Sequence, residues 1–264
     1  MLEKSKPVSQ VNQTITALFY GTSGTGKTTL SCTFPKPLLL VDFGEHGTDS
    51  IRDVPGVDHI FISEWSELQE LYQDLRKDRK YKTVVIDALQ GMQRISILEA
   101  LAQSKKEADS QISKRDFGVA SGFMSTMVVD LRDLSTGTSQ KNIVFLAHDR
   151  IFGGGEDELD DGTLQPIVGP RVMPSVSSTV TGSVNIVGNT YIREYKTKKP
   201  GSLKTERASD YCLRLGPHGY YITKIRKPRG VALPSFISNP DYDKLLGIVK
   251  SGVTSTPTKR KMSK

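Results

Sequence analysis

The chain has 264 residues, is 36% apolar with a mean hydropathy of −0.34, and carries a net charge of +7. That size fits one large domain with a substantial core plus short extras. No apolar run reaches the ~18 residues that a membrane-crossing helix needs. Two cysteines, Cys32 and Cys212, supply neither a disulfide framework nor a metal cluster and read as thiols of a reducing cytosol.

Residues 1–13 are polar and read as a flexible lead-in, with no apolar core behind their charges to make a secretory signal. Residues 14–20 (TITALFY) are an apolar run that predicts a buried strand. Residues 21–28 (GTSGTGKT) follow it directly, and residues 28–34 can open a helix. Strand, glycine-rich loop and helix in that order, with the spacing G-x-x-x-x-G-K-[ST], form a phosphate-binding loop. Residues 38–42 (LLLVD) and 83–87 (TVVID) are two further buried strands, each closed by an acid, and residues 59–62 predict another short strand. Trp65, Leu68, Leu71, Tyr72 and Leu75 recur at helical spacing after Ser63, a candidate N-cap. Helices are predicted over 88–104 and 117–134, and residues 142–147 (NIVFLA) predict a strand that ends at His148.

Beyond residue 150 the texture changes. Residues 151–178 hold glycines, prolines and the acidic run 156–161, and read as a long loop. Short β-like runs follow at 183–187, 211–215 and 220–225, the last two joined by a turn at 216–219 into a hairpin. Residues 241–249 predict a closing helix and 251–264 a disordered basic tail, leaving 14–250 as the folded unit. Strands alternating with helices indicate an α/β fold, a mostly parallel central sheet flanked by helices with a C-terminal β-hairpin region.

The loop residues Gly21, Thr22, Ser23, Gly24, Thr25, Gly26, Lys27, Thr28 and Thr29 carry the clearest chemistry. Glycines let successive N–H groups turn inward around a polyphosphate. Lys27 can reach the β/γ-phosphates, and the Thr28 hydroxyl can serve Mg²⁺. Asp87, at a strand end, is the second candidate for the Mg²⁺ site. Ala88 follows it, so a water-activating base must come from elsewhere, and Glu45 is the best candidate. It lies three residues past a strand expected beside that of the phosphate loop. His148 is placed to sense the γ-phosphate. Lys224, Arg226, Lys227 and Arg229 are four cations in six residues, suited to a phosphate in trans across a subunit interface or to DNA. Charge is unevenly spread: residues 1–190 carry 19 Lys/Arg against 24 Asp/Glu, residues 191–264 carry 17 against 5. A basic C-terminal third suits an anionic polymer, most simply nucleic acid.

On these residues the chain resembles the RecA-type core P-loop ATPases, in particular phage-encoded nucleotide-binding and recombination proteins that keep only that core. Phe43, Gly44, Glu45 and His46 resemble the segment that carries that family's catalytic Glu. His148 stands where the family has a Gln, and the cations at 224–229 resemble its trans-acting Lys-x-Lys strand end. The resemblance implies hydrolysis of ATP with Mg²⁺, binding of single-stranded DNA in recombination, strand annealing or repair, and assembly into a ring or filament. It further implies a single-strand-binding protein as a possible partner and a cytoplasmic place, the host cytoplasm if the gene is phage-encoded. Other readings that share the loop and Asp87 are a packaging or helicase-loading ATPase, a small-molecule kinase, and a nucleotide-gated binding protein with little turnover. No guanine-reading Asn-Lys-x-Asp run is present.

Overall fold

The computed structural model describes residues 14–44, 47–136, 139–152, 166–198, 205–228 and 232–250. The lead-in, the acidic run at 156–161 and the basic tail lie outside them. A parallel sheet forms the centre. Its strands are β1 (Thr16–Tyr20), β2 (Leu38–Asp42), β3 (Val57–Phe61), β4 (Thr83–Asp87), β5 (Asn142–Ala147) and β8 (Ile186–Lys198). They lie in the order β8-β1-β5-β4-β2-β3. β9 (Thr205–Arg214) and β11 (Phe236–Ser238) extend it antiparallel beyond β8, and the two-residue β10 (Lys224–Ile225) pairs with the start of β8. A separate antiparallel pair, β6 (Asp149–Phe152) and β7 (Ile167–Pro170), follows β5.

β1, β2, β4 and β5 are buried along their whole length because both faces of the sheet are covered. The pleat sends alternate residues to opposite layers. Leu18, Tyr20, Val41, Ile86 and Phe145 pack under α2 (Trp65–Lys77), α3 (Leu89–Gln103), α4 (Lys114–Asp133) and α5 (Pro174–Ser183). Ala17, Phe19, Leu40, Val85 and Leu146 pack under α1 (Lys27–Ser31) and α6 (Tyr242–Lys250). Each fully buried Leu, Ile or Phe here contributes about 1.5–3 kcal/mol relative to exposure.

Several expectations are corrected. β2 is not beside β1: β5 and β4 stand between them, with β5 in register with β1 from Thr16↔Ile143 to Tyr20↔Ala147. Sequence order places β2 next, but a crossover lets a later strand take the central position. α1 stops after five residues, just before Pro35 and Pro37, because a proline interrupts helical bonding. The N-cap of α2 is Glu64, not Ser63, and the Glu67 carboxylate accepts the N–H groups of both. Within 151–178 the described residues hold the end of β6, all of β7 and the first turn of α5, and residues 153–165 lie outside the described ones. The C-terminal hairpin is formed by β8 and β9, paired from Asn189↔Arg214 to Lys198↔Thr205, in place of 211–215 with 220–225. Its β8 half is too polar to read as an apolar run. Exposed Ile192, Tyr195 and Tyr211 show that the outer part of the hairpin is not covered by the sheet.

Candidate nucleotide-binding site

The phosphate loop leaves the carboxyl end of β1 and turns under the start of β8. Gly21 must be glycine: a Cβ there would lie 2.3 Å from the Thr190 carbonyl oxygen. Gly24 and Gly26 have φ of +80° and +81°, the left-handed region that glycine enters without a steric penalty. The Thr25 hydroxyl sits 2.7 Å from both the Thr22 carbonyl and the Thr190 hydroxyl, so the loop is tied to itself and to β8. Thr22 donates to Asp149 at 3.2 Å, which ties it also to β6. Because α1 is a single turn, anion binding rests on the N–H groups of the loop itself more than on a helix dipole.

Lys27 is buried, and its Nζ donates to the carbonyls of Gly21 at 2.8 Å and Thr22 at 2.9 Å. The ammonium is thus held over the mouth of the loop. The Thr28 hydroxyl donates to Asp87 Oδ2 at 2.9 Å, joining the loop to the end of β4. A hydroxyl and a carboxylate are hard oxygen donors of the kind Mg²⁺ takes. Among the described residues no cluster of three or more His, Cys, Asp or Glu could hold a metal alone. Mg²⁺ suits this pair, because it keeps waters and phosphate oxygens in its shell.

Glu45 lies outside the described residues. Its flanks are placed. Asp42 Oδ1 accepts the Gly44 N–H at 2.9 Å, and Asp42 Oδ2 lies 3.3 Å from His59 Nε2. The Gly47 α-carbon presents to the metal-site pair, so that a Cβ there would come 3.0 Å from Asp87 Oδ2 and 3.5 Å from Thr28 Oγ1. Gly47 is therefore beside the Thr28–Asp87 pair although β2 is remote from β1.

A cavity of about 740 Å³ is lined by residues 23–30 of the loop and its helix, by Asp87 and by His148 at the end of β5. It is also lined by Asp49, Thr190, Tyr211, Asn239 and Pro240, none of which the sequence singles out. They come from four separate segments and share no spacing, so only the fold assembles them. A second groove, of about 850 Å³, shares His148 and is lined by Gln90, Gln93, Phe117, Arg150 and Arg171.

Of the basic cluster, Lys224, Arg226 and Lys227 are described, and none of the three lines this cavity. Lys224 Nζ donates to the carbonyls of Thr181 and Gly182, and Arg226 donates to Gly182, so both close the C-terminal end of α5. Cations are favourable there. Burial, with Arg226 beside it, pushes the Lys224 ammonium to a lower pKa than usual. Lys227 is partly exposed, and Arg229 lies outside the described residues.

A glycine-rich phosphate loop, a Thr–Asp pair at the carboxyl edge of a mostly parallel sheet, and a strand inserted between their two strands define a P-loop nucleotide-binding core. The AAA-domain family model matches residues 13–226, and the chain belongs to that family. No curated protein matches it. Among solved structures it is similar to the RadB recombinase, with 13% identity over 76% of this chain and 79% of that one and a TM-score of 0.39. No described helix is long and apolar enough to cross a membrane.

Proposed function

We propose that this protein binds ATP with Mg²⁺, hydrolyses it, and uses the cycle to act on single-stranded DNA in recombination, strand annealing or repair. The observation that carries the reading is His148. It lines both the cavity of the phosphate loop and the groove of Arg150 and Arg171. A residue shared by an anion-binding cavity and a second basic groove can report the state of one to the other. Polymer phosphates suit the two arginines, and an exposed aromatic such as Phe117 suits an unpaired base.

In this reading Lys27 exchanges the Gly21 and Thr22 carbonyls for phosphate oxygens. Thr28 and Asp87 would hold Mg²⁺, which would neutralise charge developing on the phosphoryl group. Glu45 orients and deprotonates the attacking water. His148 senses the γ-phosphate. Assembly into a ring or filament completes the site, and Lys227 and Arg229 are the cations offered for a contact in trans or with DNA, since Lys224 and Arg226 serve α5.

The test is ATP turnover measured alone and with single-stranded DNA, duplex DNA and RNA. Stimulation by single-stranded DNA above the other two supports the reading; turnover indifferent to all three removes the DNA role. Glu45→Gln keeps ATP affinity and lowers kcat, because only the developing nucleophile needs the base. A rate within about twofold of wild type moves the catalytic role elsewhere.

A further inference from the structure

We infer that Tyr211 and Asn239 form the base-binding end of the nucleotide site and that they select adenine. The inference rests on the phosphate loop being a nucleoside-triphosphate site. The cavity does not end at the loop. Beside the loop it is lined by Thr33, by Tyr211 on β9 and by Asn239 and Pro240 of the turn before α6. This wall is thus a surface of the same cavity that can receive the rest of a ligand whose phosphates lie in the loop.

The wall is held together without the ligand. The Asn239 N–H donates to the Tyr211 carbonyl at 2.6 Å, and the Tyr242 N–H donates to the Thr33 hydroxyl at 2.9 Å. Lys244 Nζ donates to the Asn239 carbonyl at 2.6 Å. Three segments distant in sequence are thus fixed around one end of the cavity.

The side chains are available. Tyr211 is 50% exposed, far from the core, and its hydroxyl makes no hydrogen bond among the described residues. Its ring lies against Gly26, whose Cβ, if it had one, would be 3.1 Å from the ring. The ring therefore stands beside the phosphate loop, where an aromatic face can stack on a base. Asn239 has φ +46°, a left-handed conformation that asparagine tolerates better than most residues. Its side-chain amide makes no hydrogen bond among the described residues and is exposed. One amide offers a donor and an acceptor together, the pattern that adenine complements with N7 and its amino group. Guanine shows two acceptors on the same edge, and one asparagine matches them less well.

The experiment measures binding of ATP, GTP and inorganic tripolyphosphate to the full chain by calorimetry, for wild type, Tyr211→Ala, Tyr211→Phe and Asn239→Ala. Wild type is expected to bind ATP above GTP and both above tripolyphosphate. Tyr211→Ala is expected to weaken ATP by about 5- to 150-fold, the range of one aromatic–base stack, with tripolyphosphate unchanged. Tyr211→Phe restores ATP binding, and Asn239→Ala reduces the ATP-to-GTP preference by about fivefold or more. ATP affinity within twofold of wild type in Tyr211→Ala overturns the stacking role. An unchanged ATP-to-GTP ratio in Asn239→Ala, a variant of an exposed side chain, overturns the selectivity. Wild type that holds tripolyphosphate as tightly as ATP overturns the base wall alone. Wild type that binds neither overturns the nucleotide reading beneath it.

Discussion

Gly91→Ala tests whether Phe43, two residues before the proposed base Glu45, is held in place by packing against α3. Gly91 is buried on that helix, and a Cβ there would lie 2.3 Å from Phe43 Cβ and 3.2 Å from the Phe43 carbonyl oxygen. Ordinary carbon contact begins near ~3.5 Å, so Phe43 must retreat by about 1.2 Å or the helix must shift as far. Overpacking of that kind costs about 1–3 kcal/mol, offset by the ~0.5–1 kcal/mol that alanine gains over glycine within a helix. A net loss of about 1–2 kcal/mol lowers Tm by about 2–8 °C in a chain of this size. Phe43 stands two residues before Glu45, the base proposed above, and misplacing a reacting group by ~1 Å can cost about 10²-fold in rate. The expected result is therefore a modest fall in Tm, ATP affinity near wild type, and a much larger fall in kcat. Gly122→Ala on α4 is the control: nothing lies within 4 Å of its added Cβ, and it is expected to be neutral or slightly stabilising. Differential scanning calorimetry and steady-state ATP hydrolysis read both. A Gly91→Ala protein with wild-type Tm would show that Phe43 is not held against α3. Lowered Tm with unchanged kcat would show that the packing does not reach the chemistry.

Lys27→Ala is expected to weaken ATP about 10- to 150-fold, the loss of charge-assisted bonds of ~1.5–3 kcal/mol, with the fold retained by circular dichroism; wild-type affinity would refute the loop assignment. Asp87→Asn is expected to lower Mg²⁺ affinity about 10- to 100-fold in the ATP complex, while ATP binding measured in EDTA stays unchanged; a Mg²⁺ titration equal to wild type would take Asp87 out of the metal site. The Asp116 carboxyl is held well below the usual carboxylate range by Lys106 Nζ at 2.6 Å, then by the hydroxyl and N–H of Ser113. A depressed folded pKa stabilises above the unfolded value near ~3.9, and that contribution fades as pH falls below it. Denaturation midpoints from pH 7 downward should therefore fall less steeply in Asp116→Asn than in wild type, and parallel curves would remove Asp116 from the account.

Residues 21–28 declare a phosphate site without any structure, because the conformations of Gly24 and Gly26 and the reach of Lys27 are local properties of the chain. The strands Leu38–Asp42, Thr83–Asp87 and Asn142–Ala147 were legible to the residue, since a strand covered on both faces is an unbroken apolar run with a sharp end. Strand order was not legible. Nothing in the composition of β5 says that it enters between β1 and β4, a choice made by crossovers and by pairing between residues distant in sequence, more than a hundred positions apart for β1 and β5. That choice sets His148 between two cavities. It also leaves β2 remote from β1, while the chain beyond it returns Gly47 to Asp87. Charge spacing singled out Lys224 and Arg226, but it could not show that the carbonyls ending α5 stand beside them. Thr190, Tyr211 and Asn239 carry no local signal at all. They meet the phosphate loop only because β8, β9 and the turn before α6 fold back over it, and long-range pairing of that kind is decided by tertiary structure.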